Sequence, residues 1–278
     1  MPDVRVVIVD GPDDPRIAEY RDVADHDRLV AQGLFVAESR LVVERLIDDR
    51  FHIRSLLLNR AAFTALEPRL KNLPRETTTF ICATEDFEEL TGHAIHRGCL
   101  ALAERPDPRL LDDLLIRARS LVLLEDVGNA DNVGAIFRTA AAFGVGAIVL
   151  SHGCADPLYR KAIRTSMAAT LRVPFSVVSF ADLWTPALAR VRVAGFQLVA
   201  LTLGEGAIEI DDWARGLRAD RFALLLGAEG SGLSPESEAL ADVRVTIPIQ
   251  SAVDSLNVSV AAAIALHRIT TPSVPSTV

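Results

Sequence analysis

A chain of 278 residues exceeds one average domain and fits two of about 100–170 residues, each large enough to bury its own core. Half the residues are hydrophobic and a quarter charged, with no low-complexity tract, no apolar run near the roughly 18–20 residues that span a bilayer, and no basic, apolar start after Met1-Pro2-Asp3; a globular cytoplasmic protein without a membrane partner is expected. The net charge of −8 argues against a non-specific nucleic-acid coat.

The first strand pattern falls at 34–37 and leads through Ser39, an N-cap type, into a helix at 39–49 with Leu41, Val42, Leu46 and Ile47 on one face. Strands at 52–58, 77–82 and 99–103 then alternate with helices at 61–70 and 86–92. Residues 1–105 therefore read as β-α-β-α-β-α-β, a small α/β sandwich. The segment Glu104-Arg105-Pro106-Asp107-Pro108-Arg109 sets two prolines among charges, and 106–113 is expected to link this domain to a second at 114–278. There the strand patterns at 121–124, 147–150, 175–178, 197–201, 222–226 and 243–247 are apolar on both faces, as in a buried parallel sheet. Helices at 133–143, 158–169, 183–193 and 258–269 separate them, giving an α/β domain whose ligands belong beyond the carboxyl ends of the strands.

Cys82, Cys99 and Cys154 are odd in number and lie in apolar surroundings, so they read as reduced core thiols. No CxxC occurs, and the pair His93/His96 beside Gly92 and Gly98 reads as a polar loop rather than half of a zinc site; no metal is expected. Arg160, Lys161, Arg164 and Arg172 form a basic strip that, by itself, reads as a solvated helix face.

Three strand-end loops stand out. The first runs from Glu125 to Asn132 into a helix closed by Gly144, with Asn132 as its expected cap and Arg138 off the apolar stripe of Ile136, Ala140 and Phe143, where an exposed helical arginine is the plain reading. The second, Gly227-Ala228-Glu229-Gly230-Ser231-Gly232-Leu233, has glycines that allow close approach or positive φ, but no Walker-type Lys-Ser/Thr; a simple turn is the alternative. The third, from Pro248 to Asn257, opens an alanine-rich helix with two cap-type residues, Ser255 and Asn257; capping accounts for one of them, and small residues on that helix suit packing against a second subunit. Gly144-Val145-Gly146 ends a helix before a strand, the wrong context for a dinucleotide-binding oxidoreductase.

In this order the loops resemble the three motifs of the SpoU/TrmH branch of the SPOUT RNA methyltransferases. The first matches through Asn132, Gly134, Arg138 and Thr139, the second through Gly227, Glu229, Gly230 and Gly232, the third through Ile247, Pro248, Ser255, Leu256, Asn257 and Ser259. Through Phe35-Val36-Ala37-Glu38-Ser39-Arg40 the N-terminal domain is similar to the L30e-like substrate-binding domain of the ribosomal-RNA members. The resemblance implies a C-terminal deep trefoil knot, a homodimer, and methylation of a ribose 2′-hydroxyl in RNA, 23S ribosomal RNA foremost, with S-adenosylmethionine as donor. A transfer-RNA methyltransferase and a catalytically silent knotted RNA-binding protein are the alternatives. It assigns Arg138, Asn132, Glu229, Ser255 and Asn257 to the catalytic site. Gly227, Glu229, Gly232, Ile247, Ile249, Leu256, Asn257, Leu201 and Thr202 fall to the cofactor, and Arg138, Arg160, Lys161, Arg164, Glu38 and Arg40 to RNA. Ser251 and Ala168 depart from the family by standing where glycine is common.

Overall fold

A computed structural model describes residues 5–21, 23, 25–91, 98–204, 206–216, 219–250 and 254–270; His93, His96 and Ser251 lie outside them. Contacts divide the chain into two units, Met1–Asp107 with Leu158–Leu171, and Pro108–Pro157 with Arg172–Val278.

The first unit opens with β1 (Arg5–Ile8), a 3-10 turn at Pro15–Tyr20 and α1 (His26–Ala31), all absent from the sequence expectation. The expected alternation follows: β2 (Leu34–Glu38), α2 (Arg40–Asp48), β3 (Ile53–Leu58), α3 (Arg60–Leu70), β4 (Thr78–Ile81), α4 (Thr84–Thr91) and β5 (Cys99–Glu104). The sheet order is β1-β4-β3-β5-β2, with β5 antiparallel to both neighbours and the other pairs parallel. Ser39 holds the cap position of α2 but makes no side-chain cap bond, because φ of +91° turns it into a conformation that favours glycine. The α2 face buries Val43 rather than Leu41 beside Val42, Leu46 and Ile47. Cys82 and Cys99 are buried and Cys154 is partly so, all as free thiols; burial pushes the first two up to about 12 and raises the third.

The second unit begins with α5 (Leu111–Arg117), whose Leu111, Leu114 and Leu115 enter the core, so the last residues of the expected linker are helical. Next come β6 (Ser120–Leu124), α6 (Ala130–Ala142) and β7 (Ala147–Leu150). The chain then supplies α7 (Arg160–Thr165) to the first unit. It returns with β8 (Phe175–Val177), α8 (Trp184–Val193), β9 (Gln197–Leu201), β10 (Ile208–Glu209), α9 (Ile210–Gly216), β11 (Phe222–Leu226), α10 (Pro235–Leu240), β12 (Val243–Thr246) and α11 (Val258–Thr270). All strand pairs are parallel in the order β10-β12-β9-β11-β6-β7-β8. The near-continuous apolar runs of β6, β7 and β11 are buried at almost every position, as a sheet covered on both faces requires.

Residues 158–171 depart from the sequence reading in two ways. The expected helix stops at Thr165 because Met167 and Ala168 take φ of +53° and +66°, and a 3-10 turn follows at Ala169–Leu171. The segment also clusters with the first unit, where the Tyr159 ring packs at a tilt against His26, centroids 4.7 Å apart, and Arg45 donates to the Met167 carbonyl. Glu38, buried at the end of β2, takes ion pairs from Arg160 and Arg164 at 3.6 and 3.8 Å. Among the described residues no helix is long and apolar enough to cross a membrane, and no group of three His, Cys, Asp or Glu could hold a metal.

Candidate active site

Strand order brings the three loops together. β11 lies between β9 and β6, so the loops after β6 and β11 are neighbours; β12 lies on the far side of β9, and Asn257, just before α11, stands beside those two loops. In open parallel sheets such carboxyl-end loops form the ligand crevice.

The first loop is anchored by Glu125, whose N–H donates to the Leu226 carbonyl and extends the β6–β11 ladder past the strand ends. Asn129 caps α6, its Oδ1 accepting from the N–H groups of Asp131 and Asn132 at 2.8 and 3.4 Å. The cap is therefore three residues earlier than the sequence reading, which expected Asn132. That shift matters, because the Asn132 side chain sits one turn inside the helix and is free of capping. It is buried; its Oδ1 is engaged and its Nδ2 has no partner. Gly144 ends the helix at φ +68°, the left-handed position expected of it.

The second loop doubles back tightly. Gly232 N–H donates to the Ala228 carbonyl at 3.0 Å, so a Cβ on Gly227 would collide with the Gly232 backbone and the Leu233 nitrogen. Gly232 itself needs positive φ, at +70°. This fold-back leaves Glu229 exposed at the tip.

The third loop joins the others through one side chain. Asn257 Nδ2 donates to Asn132 Oδ1 at 3.0 Å and to Glu229 Oε1 at 2.7 Å. Its Oδ1 accepts from the Ser259 N–H and hydroxyl at 2.9 and 2.7 Å and from the Val260 N–H at 3.3 Å, which caps α11. Asn257 is thus both a helix cap and the link between three loops.

The cluster borders a cavity of about 560 Å³. Every residue assigned to the cofactor from the sequence lies on its wall: Gly227, Glu229, Gly232, Ile247, Ile249, Leu256, Asn257, Leu201 and Thr202. Ser255 is there as well. Asn132 touches the cavity only through Asn257, and Arg138 is exposed on α6, outside the wall and without a hydrogen bond to the cluster among the described residues. Of the residues assigned to RNA, Lys161 is exposed, Arg40 pairs with Glu44 at 3.6 Å, and Arg160 and Arg164 lean on Glu38.

The charged wall residue that the sequence reading did not assign is Glu238. Glu238 lines the wall and accepts from the Thr202 hydroxyl at 2.6 Å. It belongs to α10, a helix announced by Ser234 as cap and Pro235 at its first position, a start signal that could have located it.

Comparison with known proteins agrees with this geometry. A family model described as the SpoU rRNA methylase family matches residues 119–267. An uncharacterised tRNA/rRNA methyltransferase of Mycobacterium tuberculosis is 36% identical over 262 residues, 92% of this chain and 89% of that protein. A 23S rRNA (guanosine-2′-O-)-methyltransferase of Acinetobacter baylyi is 33% identical over 192 residues, 66% of this chain and 74% of that protein. An AdoMet-bound rRNA methyltransferase structure from Sinorhizobium meliloti shares the fold with a TM-score of 0.80 at 24% identity, covering 95% of this chain and 97% of the other. Sequence motifs, loop geometry and the family model converge: the chain belongs to the SpoU rRNA methylase family.

Proposed function

We propose that this chain transfers a methyl group from S-adenosylmethionine to a ribose 2′-hydroxyl of 23S ribosomal RNA, acting in the cytoplasm as a homodimer. The observation that carries the reading is the Asn257 amide, which ties Asn132 and Glu229 together at the edge of the cavity. Family membership and the activity named for the Acinetobacter relative support the reaction class and the RNA.

The cavity fits the donor. Its volume lies in the range of small-ligand sites, its wall holds two carboxylates and no cationic side chain among the described residues, and S-adenosylmethionine is net cationic. The backbone approach at Gly227 makes a cradle that any side chain would fill. Bound there, S-adenosylmethionine supplies an electrophilic methyl group on a sulfonium. Leu201, Ile247, Ile249 and Leu256 offer apolar contact and backbone groups to its nucleoside, while Ser255 offers a hydroxyl.

The protein must hold a ribose oxygen in line and relieve it of its proton. Arg138 is too basic to accept that proton. It clamps the neighbouring RNA phosphate bidentately and so holds the 2′-hydroxyl in line, with the hydroxyl proton leaving to water as the new O–CH3 bond forms. Asn132, Glu229 and Asn257 keep the loops in one arrangement while this occurs. Because Arg138 lies off its own cavity wall, pairing of α6 and α11 surfaces in a dimer completes the site; Val260 on α11 is half exposed beside small residues, in keeping with such a face.

The knot implied by the resemblance is supported by the placement of two described points: β12 ends at Thr246 on the far side of β9, while Asn257 bonds Asn132 and Glu229 at the loops after β6 and β11. The mixed sheet of the first unit supports an L30e-like RNA-binding domain at 1–105, with 114–278 as the methyltransferase domain. Residues 158–171 cluster with that first unit, and there Lys161 and the exposed side of Arg164 meet phosphates, giving salt-dependent affinity, whereas Glu38 holds Arg160 and Arg164 in place.

Arg138→Ala tests the mechanism. With radiolabelled donor and unmethylated ribosomal RNA, transfer is expected to fall by about 100-fold or more while calorimetric donor binding is retained. Equal transfer by the variant refutes the role given to Arg138.

A further inference from the structure

We propose that Glu238 is the residue that recognises the ribose diol of the methyl donor, an assignment that rests on the donor-binding reading of the cavity. Among the described wall residues only Glu229 and Glu238 carry charge. Glu229 gives one oxygen to Asn257 at the reacting end. Glu238 stands elsewhere on the wall, and its geometry is that of a prepared acceptor. Thr202 Oγ1 accepts from the Gly204 N–H at 3.1 Å, which orients the hydroxyl to donate to Glu238 Oε1 at 2.6 Å. That bond fixes the carboxylate and leaves Oε2 for a ligand.

Strand order says which part of the donor it meets. Along β12-β9-β11-β6 the carboxyl ends present, in turn, the apolar Ile247 and Ile249, then Thr202 with Glu238, then the Gly227–Glu229 turn, then Asn132. Neighbouring strands are about 4.8 Å apart, so the row spans roughly the length of an adenosyl group joined to a sulfonium. With the adenine against the isoleucines and the sulfonium at Glu229 and Asn132, the ribose falls at β9. There a vicinal diol presents two O–H donors to one carboxylate, a pairing that neutral backbone groups match with weaker bonds.

The test compares ligands as well as variants. Calorimetry on the full chain and on Glu238→Ala would use S-adenosylhomocysteine, its 2′,3′-dideoxy form, and methylthioadenosine, which keeps the diol and lacks the amino-acid tail. The wild-type chain is expected to prefer the diol over the dideoxy form by about 10-fold or more, and the variant to bind the two alike. Both diol ligands should weaken equally in the variant. Preference for the diol that persists in Glu238→Ala overturns the proposal, because a merely structural role leaves that ratio unchanged. Loss confined to S-adenosylhomocysteine also overturns it, since the carboxylate then holds the ammonium. Should Glu238→Ala fail to fold, Glu238→Gln serves the same comparison with the side-chain volume kept. A wild-type chain that binds none of the three refutes the donor-binding reading itself.

Discussion

Asn257 concentrates two functions in one amide, and substitution can separate them. Its oxygen caps α11 and its nitrogen links Asn132 to Glu229. Asn257→Asp keeps an acceptor for the Ser259 and Val260 N–H groups, so the cap survives. The nitrogen is lost, and a carboxylate then faces Glu229. Methyl transfer is expected to fall at least about 10-fold, worth about 1.4 kcal/mol, with little change in α11 stability. Asn257→Ala should lose the cap as well, at a cost of about 1 kcal/mol in urea unfolding. Wild-type transfer by Asn257→Asp would reduce this residue to a helix cap. At this scale the sequence named the right residue types and misplaced one role: a cap was expected at Asn132, but Asn129 takes it and leaves the buried Asn132 amide to the site.

Elements are held by fewer, stronger points than their propensities provide. Arg221, just before β11, stacks its guanidinium over the Phe196 ring at 4.1 Å and donates to the carbonyls of Ala194 at 2.7 Å, Ala118 at 3.3 Å, and Leu115. These carbonyls close the ends of α5 and α8, where helices lack internal partners. Arg221→Ala is expected to cost about 2–3 kcal/mol, read as a lower urea midpoint at unchanged slope, and Arg221→Lys to recover part of it, because an ammonium lacks the planar fork. A loss below about 0.5 kcal/mol would show that the carbonyls find water instead. The opposite case is α7, whose helical pattern was legible to residue 169 but yields at Met167 and Ala168 to a positive-φ turn. Tertiary contact with the first unit outweighed local propensity there.

At the scale of the whole molecule, the proposed dimer makes a prediction about where Arg138 acts. This arginine is exposed and off the wall of its own cavity. If the dimer completes the site, co-refolding Arg138→Ala with Gly227→Val restores transfer that neither variant shows alone, since one subunit of the mixed dimer supplies the cavity and the other the arginine. Gly227→Val is suited to the purpose, because its side chain would fill the backbone cradle. Absence of restoration in confirmed mixed dimers would place arginine and cavity in the same chain.

By itself the sequence determined the periodic features: the buried parallel strands of the second unit, most helices that alternate with them, and the loops where chemistry collects. Those are local properties, since burial on both faces and cap residues are written into neighbouring positions. The brief elements β1, β10 and α9 were invisible because two to seven residues carry too little period. What only the tertiary structure decided is the partnership of distant residues. Sequence spacing holds no record of Glu38 neutralising Arg160 and Arg164, of Thr202 orienting Glu238, or of a single amide from Asn257 spanning 125 residues to Asn132. Each depends on strand order, which long-range packing fixes and local propensity does not.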